Sequence, residues 1–173
     1  LRIILFALLG VFSLVLTGSV FSVANIAGIV PDLLLLISLS VVFLEKTPAG
    51  IIFAGIGGIV YDIMFSYNIG IYALSYVLTA AIAYAVLRNM SRVRPIILAG
   101  VGFGAYIVRE MIMAGMAAAL GYEYNLLYML VRFILPGALM TAALLIPAYY
   151  LIRILYLRNW MTPTRSPYED FIK

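Results

Sequence analysis

Six long apolar stretches, parted by short polar breaks, make up nearly all of this chain. They cover residues 3–24, 29–44, 47–65, 69–87, 95–120 and 126–157. A helix needs about 20 apolar residues to cross a bilayer. The pattern therefore predicts an all-α integral membrane protein: one compact bundle of six transmembrane helices over residues 1–158, followed by a short polar tail at 159–173. The second stretch is short, and Pro31 near its start suits a first helical turn. It either thins the bilayer locally or runs on through the Glu45–Lys46 turn. The last stretch is long enough to tilt, to kink near Pro136 or Pro147, or to project beyond the membrane. The first apolar run, Ile3 to Phe21, is too long for a signal-peptide core and lacks a small-residue cleavage site, so it reads as a retained spanning helix.

The connections are too short to hold an extramembrane domain, and an even number of spans puts both termini on one side. Arg2, Lys46, Arg88, Arg92, Arg94, Arg153, Arg158, Arg165 and Lys173 all fall on that side, whereas the three opposite loops carry no Lys or Arg. The positive-inside rule makes that side cytoplasmic, as in a multi-pass membrane protein. Tyr61, Tyr67, Tyr72, Tyr122, Tyr124 and Tyr128 gather at the opposite boundary, where aromatic side chains anchor a bundle.

Composition narrows the chemistry. Of 173 residues, 66% are hydrophobic and 10% charged, so a soluble domain of this size has too few polar residues to cover its surface. There is no Cys and no His. Disulfides, thiolate nucleophiles, imidazole bases and most transition-metal sites are excluded, and neither cofactor nor metal is expected. The excess positive charge sits in membrane-flanking turns, which argues against a nucleic-acid partner.

Against this background Asp62 stands out. It lies on a four-residue ladder, Gly50, Ala54, Gly58, Asp62, Ser66, which forms one slowly drifting face of a helix. Small residues let another helix approach closely and turn the carboxylate toward protein. Asp62 and Arg109 each lie about 14 residues from the cytoplasmic start of their stretches, or ~21 Å. Arg132 is ~9 Å below the outer start of the last stretch, and Asp32 opens the second from outside. With Glu110, these residues define an intramembrane polar layer in the outer half. Asp62 is expected to face Arg109 or Arg132, with Asp32 and Glu110 completing the network. Gly100 and Gly104 form a GxxxG pair for helix packing or partner contact, like Gly50, Ala54 and Gly58. The layer serves either as structural glue or as a partner-binding or small-cavity site. The basic turn with Arg88, Arg92 and Arg94 sets topology, and also suits anionic lipid or an acidic partner.

Two intramembrane aspartates raise an aspartyl-protease reading, since Tyr61-Asp62 supplies a Tyr-Asp pair. Enzymes resembling the presenilin type also need a Gly-x-Gly-Asp turn, and here Gly102-Phe103-Gly104 is followed by Ala105. No His or interior Lys is present to activate a serine. A non-enzymatic protein is expected.

The ordered set Pro31-Asp32 with four leucines after it, the Gly50-to-Asp62 ladder, and Asn68-Ile69-Gly70-Ile71-Tyr72-Ala73-Leu74 resembles the MreD family of rod-shape-determining proteins. The matching positions are Pro31, Asp32, Gly50, Gly58, Asp62, Gly70 and Tyr72. The resemblance implies a non-catalytic scaffold of the bacterial cell-elongation complex, one that binds the bitopic MreC and helps regulate cell shape and peptidoglycan synthesis. It also implies an association with RodA, a class B penicillin-binding protein and MreB. The fold it implies is similar to the six-helix substrate-binding subunits (S-components) of energy-coupling-factor transporters. A vitamin-binding subunit of that kind is the competing function, although the chain offers little loop material to close over a solute. Homodimerisation is a further expectation, because outward helix faces remain available.

Overall fold

In the computed structural model, residues 2–20, 31–45, 47–66, 70–87, 94–121 and 125–157 are described. They form helical rods throughout, with no strand among them. Helix α1 is Arg2–Val15, continued by a wide turn over Leu16–Val20. Next come α2 (Leu33–Glu45), α3 (Ala49–Phe65), α4 (Ile71–Leu87) and α5 (Pro95–Ala119). The last rod, α6, joins Leu126–Met129, a wide turn at Leu130–Ile134, and Leu135–Leu157. Arg88, Arg92, Trp160, the loop tyrosines Tyr67, Tyr122 and Tyr124, and the tail 159–173 lie outside the described residues, as does the end of the first apolar run beyond 20.

Helix α2 is the axis of the bundle. Every residue from Leu34 to Phe43 is buried, as a helix with no polar face requires. Its two serines satisfy their hydroxyls within the helix. Ser38 donates to the Leu35 carbonyl at 2.9 Å and Ser40 to that of Leu36 at 2.7 Å. The other helices pack around α2, with α3 on α4, α4 on α5 and α5 on α6 as antiparallel neighbours in chain order. Pro31 and Asp32 precede α2. The proline thus sits outside the first turn, and Asp32 takes the capping position.

Local chemistry explains the helix ends. Arg94 is extended and Pro95 opens α5, where its missing N–H is no loss. Gly70 holds φ +105° just before α4, a conformation that side-chain-bearing residues rarely adopt. In α6 the Leu135 N–H reaches back five residues to the Leu130 carbonyl. The proline that follows, Pro136, cannot donate to the Arg132 carbonyl, so the wide turn adjusts the rod where its ladder is already interrupted.

The surface is inverted relative to a soluble bundle. Outward faces are apolar, as in the stripe Leu74, Leu78, Ile82 and Val86 on α4 and Ile52, Ile56, Ile59 and Ile63 on α3. Ser13, Asp32, Asp62, Ser75, Thr79, Arg109 and Thr141 are instead buried. Two helices, Pro95–Ala119 and Leu127–Tyr156, are long and apolar enough to cross a membrane, and four shorter apolar helices accompany them.

Candidate functional site: a buried polar layer

Polar side chains collect at the end of the bundle where α2 and α4 begin. Asp32 caps α2: its Oδ1 accepts the Leu35 N–H at 2.9 Å, the interaction that favours Asp before a helix. Its Oδ2 accepts the Tyr76 hydroxyl of α4 at 2.8 Å. The same oxygen lies 3.1 Å from Nε of Arg109 on α5. That Nε makes no aligned hydrogen bond, so the contact is an ion pair. Arg109 Nη1 donates to the Tyr76 hydroxyl at 3.4 Å, and Nη2 donates to Glu110. Three helices are thereby tied by one guanidinium, one carboxylate and one phenol.

Aromatic faces complete the enclosure. The Arg109 guanidinium carbon lies 5.2 Å from the centre of the Tyr76 ring and 5.5 Å from that of Tyr106. A cation over a π-face recovers part of the attraction it loses on leaving water. Tyr61 packs against Tyr72 at 4.6 Å and extends the aromatic layer over α3 and α4. Tyr106 owes its position to Gly137. A Cβ there would fall 2.5 Å from the tyrosine oxygen.

Asp62 does something else. It is fully buried, and its carboxylate accepts backbone N–H groups of Gly70, Tyr72 and Ala73 at 2.9, 3.1 and 2.9 Å. These donors belong to the turn before α4 and to its first residues. The aspartate closing α3 therefore caps the next helix across the turn, placing its negative charge at the positive end of α4. The expectation that Asp62 faces Arg109 or Arg132 is corrected: the start of α4 offers backbone N–H groups without intrahelical partners, and three of them take the place of an arginine. Arg132 does not join the layer either, because it lies exposed on the wide turn of α6.

The small residues also divide. A Cβ on Gly50 would meet the Ser38 carbonyl at 2.9 Å, and one on Gly58 would meet Ala73 Cα at 2.6 Å. Ala54 is fully buried between them. The ladder thus lets α2 and α4 approach α3 closely. Gly100 and Gly104 face open space. Their neighbour Gly102 is the one that packs on α6, against Leu145. Of the basic turn, Arg94 is exposed, and Arg88 and Arg92 fall outside the described residues.

Two features carried no sequence signal that the charge and depth counts used. Tyr76 is one of many tyrosines, yet it bridges Asp32 and Arg109. At the opposite end of the bundle, Glu45 accepts the Thr47 hydroxyl at 2.9 Å and also that of Tyr156. This fastens the α2–α3 corner to the end of α6.

Compared with known proteins, the chain matches one family over residues 1–159, that of the rod shape-determining protein MreD. No curated protein and no solved structure matches it.

Proposed function

The chain belongs to the MreD family of rod shape-determining proteins, and on that premise we propose that it is a non-catalytic membrane scaffold of the bacterial cell-elongation complex. In this reading all six helices cross the inner membrane and both termini are cytoplasmic. The protein holds the single-span protein MreC, and through it helps regulate peptidoglycan synthesis.

One observation carries the scaffold reading. Both oxygens of each buried aspartate are engaged within the chain: three backbone N–H groups on Asp62, and an N–H, a phenol and a guanidinium on Asp32. Carboxylates held in this way fix the rotation and spacing of helices. A proton-transfer catalyst instead needs a carboxylate with a free lone pair facing substrate. The apolar outer faces supply the contact surface such a scaffold needs within the bilayer, where close packing rather than burial from water drives helix association.

Site-specific photo-crosslinkers along the outward faces of α1, α3, α5 and α6 test the reading. Adducts with a single-span partner on one contiguous face are expected, and their absence from every face removes its physical basis. Depletion of the protein should give rounded, lysing cells. Rod-shaped cells that need an added vitamin would instead favour a solute-binding subunit.

A further inference from the structure

Arg132 is a charged side chain that the described residues of the bundle leave without a partner. It lies exposed on α6, and no acidic group among the described residues pairs with it. Around it the surface is apolar, with Leu127, Val131 and Phe133 all exposed. On the reading that this surface meets lipid, a bare guanidinium there is costly, so an anion must reach it or it must reach an anion. We infer that Arg132, on the same rod as the interfacial Tyr128, holds the phosphate of an anionic membrane lipid.

Four observations support that choice of occupant. Arg132 lies six residues into α6, ~9 Å from the helix start, shallow enough for its long stem to lift the charge to headgroup level. Tyr128 precedes it by four residues on the same rod and is exposed, the placement that interfacial tyrosines favour. Its ring is braced edge-on by Phe133 at 6.2 Å. The wide turn at Leu130–Ile134 breaks the regular helical register there, and such turns recur at binding sites. Arginine's planar fork matches two phosphate oxygens at once, whereas lysine offers a single point of charge.

The test uses the full chain, delipidated in detergent and titrated with phosphatidylglycerol, with bound lipid counted by native mass spectrometry. Arg132→Gln should weaken binding about tenfold, the loss of roughly one charge-assisted pair. Arg132→Lys should fall between it and the parent, and diacylglycerol, which lacks the phosphate, should not distinguish the three. A Val131→Trp reporter in a Trp160→Phe background, read by brominated-lipid quenching, checks separately that this face meets lipid. Quenching with unchanged phosphatidylglycerol affinity in Arg132→Gln overturns the lipid site and leaves the membrane reading intact. Absence of quenching overturns the membrane reading of this face. If Arg132→Gln instead abolishes co-purification of a neighbouring protein without altering lipid binding, the anion is a protein carboxylate and the proposal fails.

Discussion

Asp62 and Ala73, on consecutive helices, are joined by a 2.9 Å hydrogen bond from the Ala73 N–H to the Asp62 carboxylate. The same carboxylate takes the N–H groups of Gly70 and Tyr72. Removing it would leave three donors without their acceptor at a buried corner. Asp62→Ala should therefore cost about 3 kcal/mol, more than an ordinary exposed cap. Asp62→Asn keeps one carbonyl oxygen and should cost about half as much. Thermal unfolding in detergent measures both. A fully stable Asp62→Asn protein that no longer supports rod shape would show that the carboxylate acts beyond the corner.

The Asp32–Arg109 pair gives a different prediction. Breaking a buried ion pair from one side strands the other charge, at about 3–5 kcal/mol. Asp32→Asn and Arg109→Gln should each approach that loss, and the double variant should lose far less than the sum. Glu110 also contacts Arg109, but its side chain is 20% exposed against 7% for Asp32. Glu110→Gln should cost under about 1 kcal/mol. A double-mutant cycle on unfolding free energy separates the cases; an additive Asp32–Arg109 cycle would mean that the two are not energetically coupled.

These two aspartates show how far the sequence could be read. The helical, apolar nature of the rods follows from run length and hydropathy, which need no knowledge of neighbours. Depth counting also found Asp32, Arg109 and Glu110, because rise per residue depends only on position. What it missed depends on rotation and on backbone donors. Charged side chains alone pair Asp62 with an arginine, although Gly70 and the helix start after it offer N–H groups. Arg132 had the right depth, but a wide turn alters the register that decides which way a side chain points. Gly100 and Gly104 have the spacing of a packing pair, but the helix's rotation turns them away from the rest of the bundle, which leaves partner contact as their reading.

The glycines therefore separate by face. Gly58→Ala would drive a methyl into the α4 backbone at Ala73 and should cost about 1–3 kcal/mol. Gly104→Ala meets nothing and gains helix propensity, so it should be neutral or stabilising by up to about 1 kcal/mol. Paired unfolding measurements decide the matter. If Gly104→Ala is harmless to folding yet disturbs cell shape, its open face is used by another molecule.

At the far end of the bundle, Tyr156 donates its hydroxyl to Glu45 and anchors the end of α6. That end is already weakened, since Pro147 cannot donate to the Ala143 carbonyl within the rod. Tyr156→Phe keeps the ring and removes only the donor, so the loss should be about 1 kcal/mol and local. Hydrogen exchange should quicken in α6 beyond Pro147, while the amides around Arg109 stay protected. Glu45→Gln retains an acceptor for the phenol and should perturb the same amides less. Uniform acceleration across both ends of the bundle would mean that the contact supports the whole fold and not one corner of it.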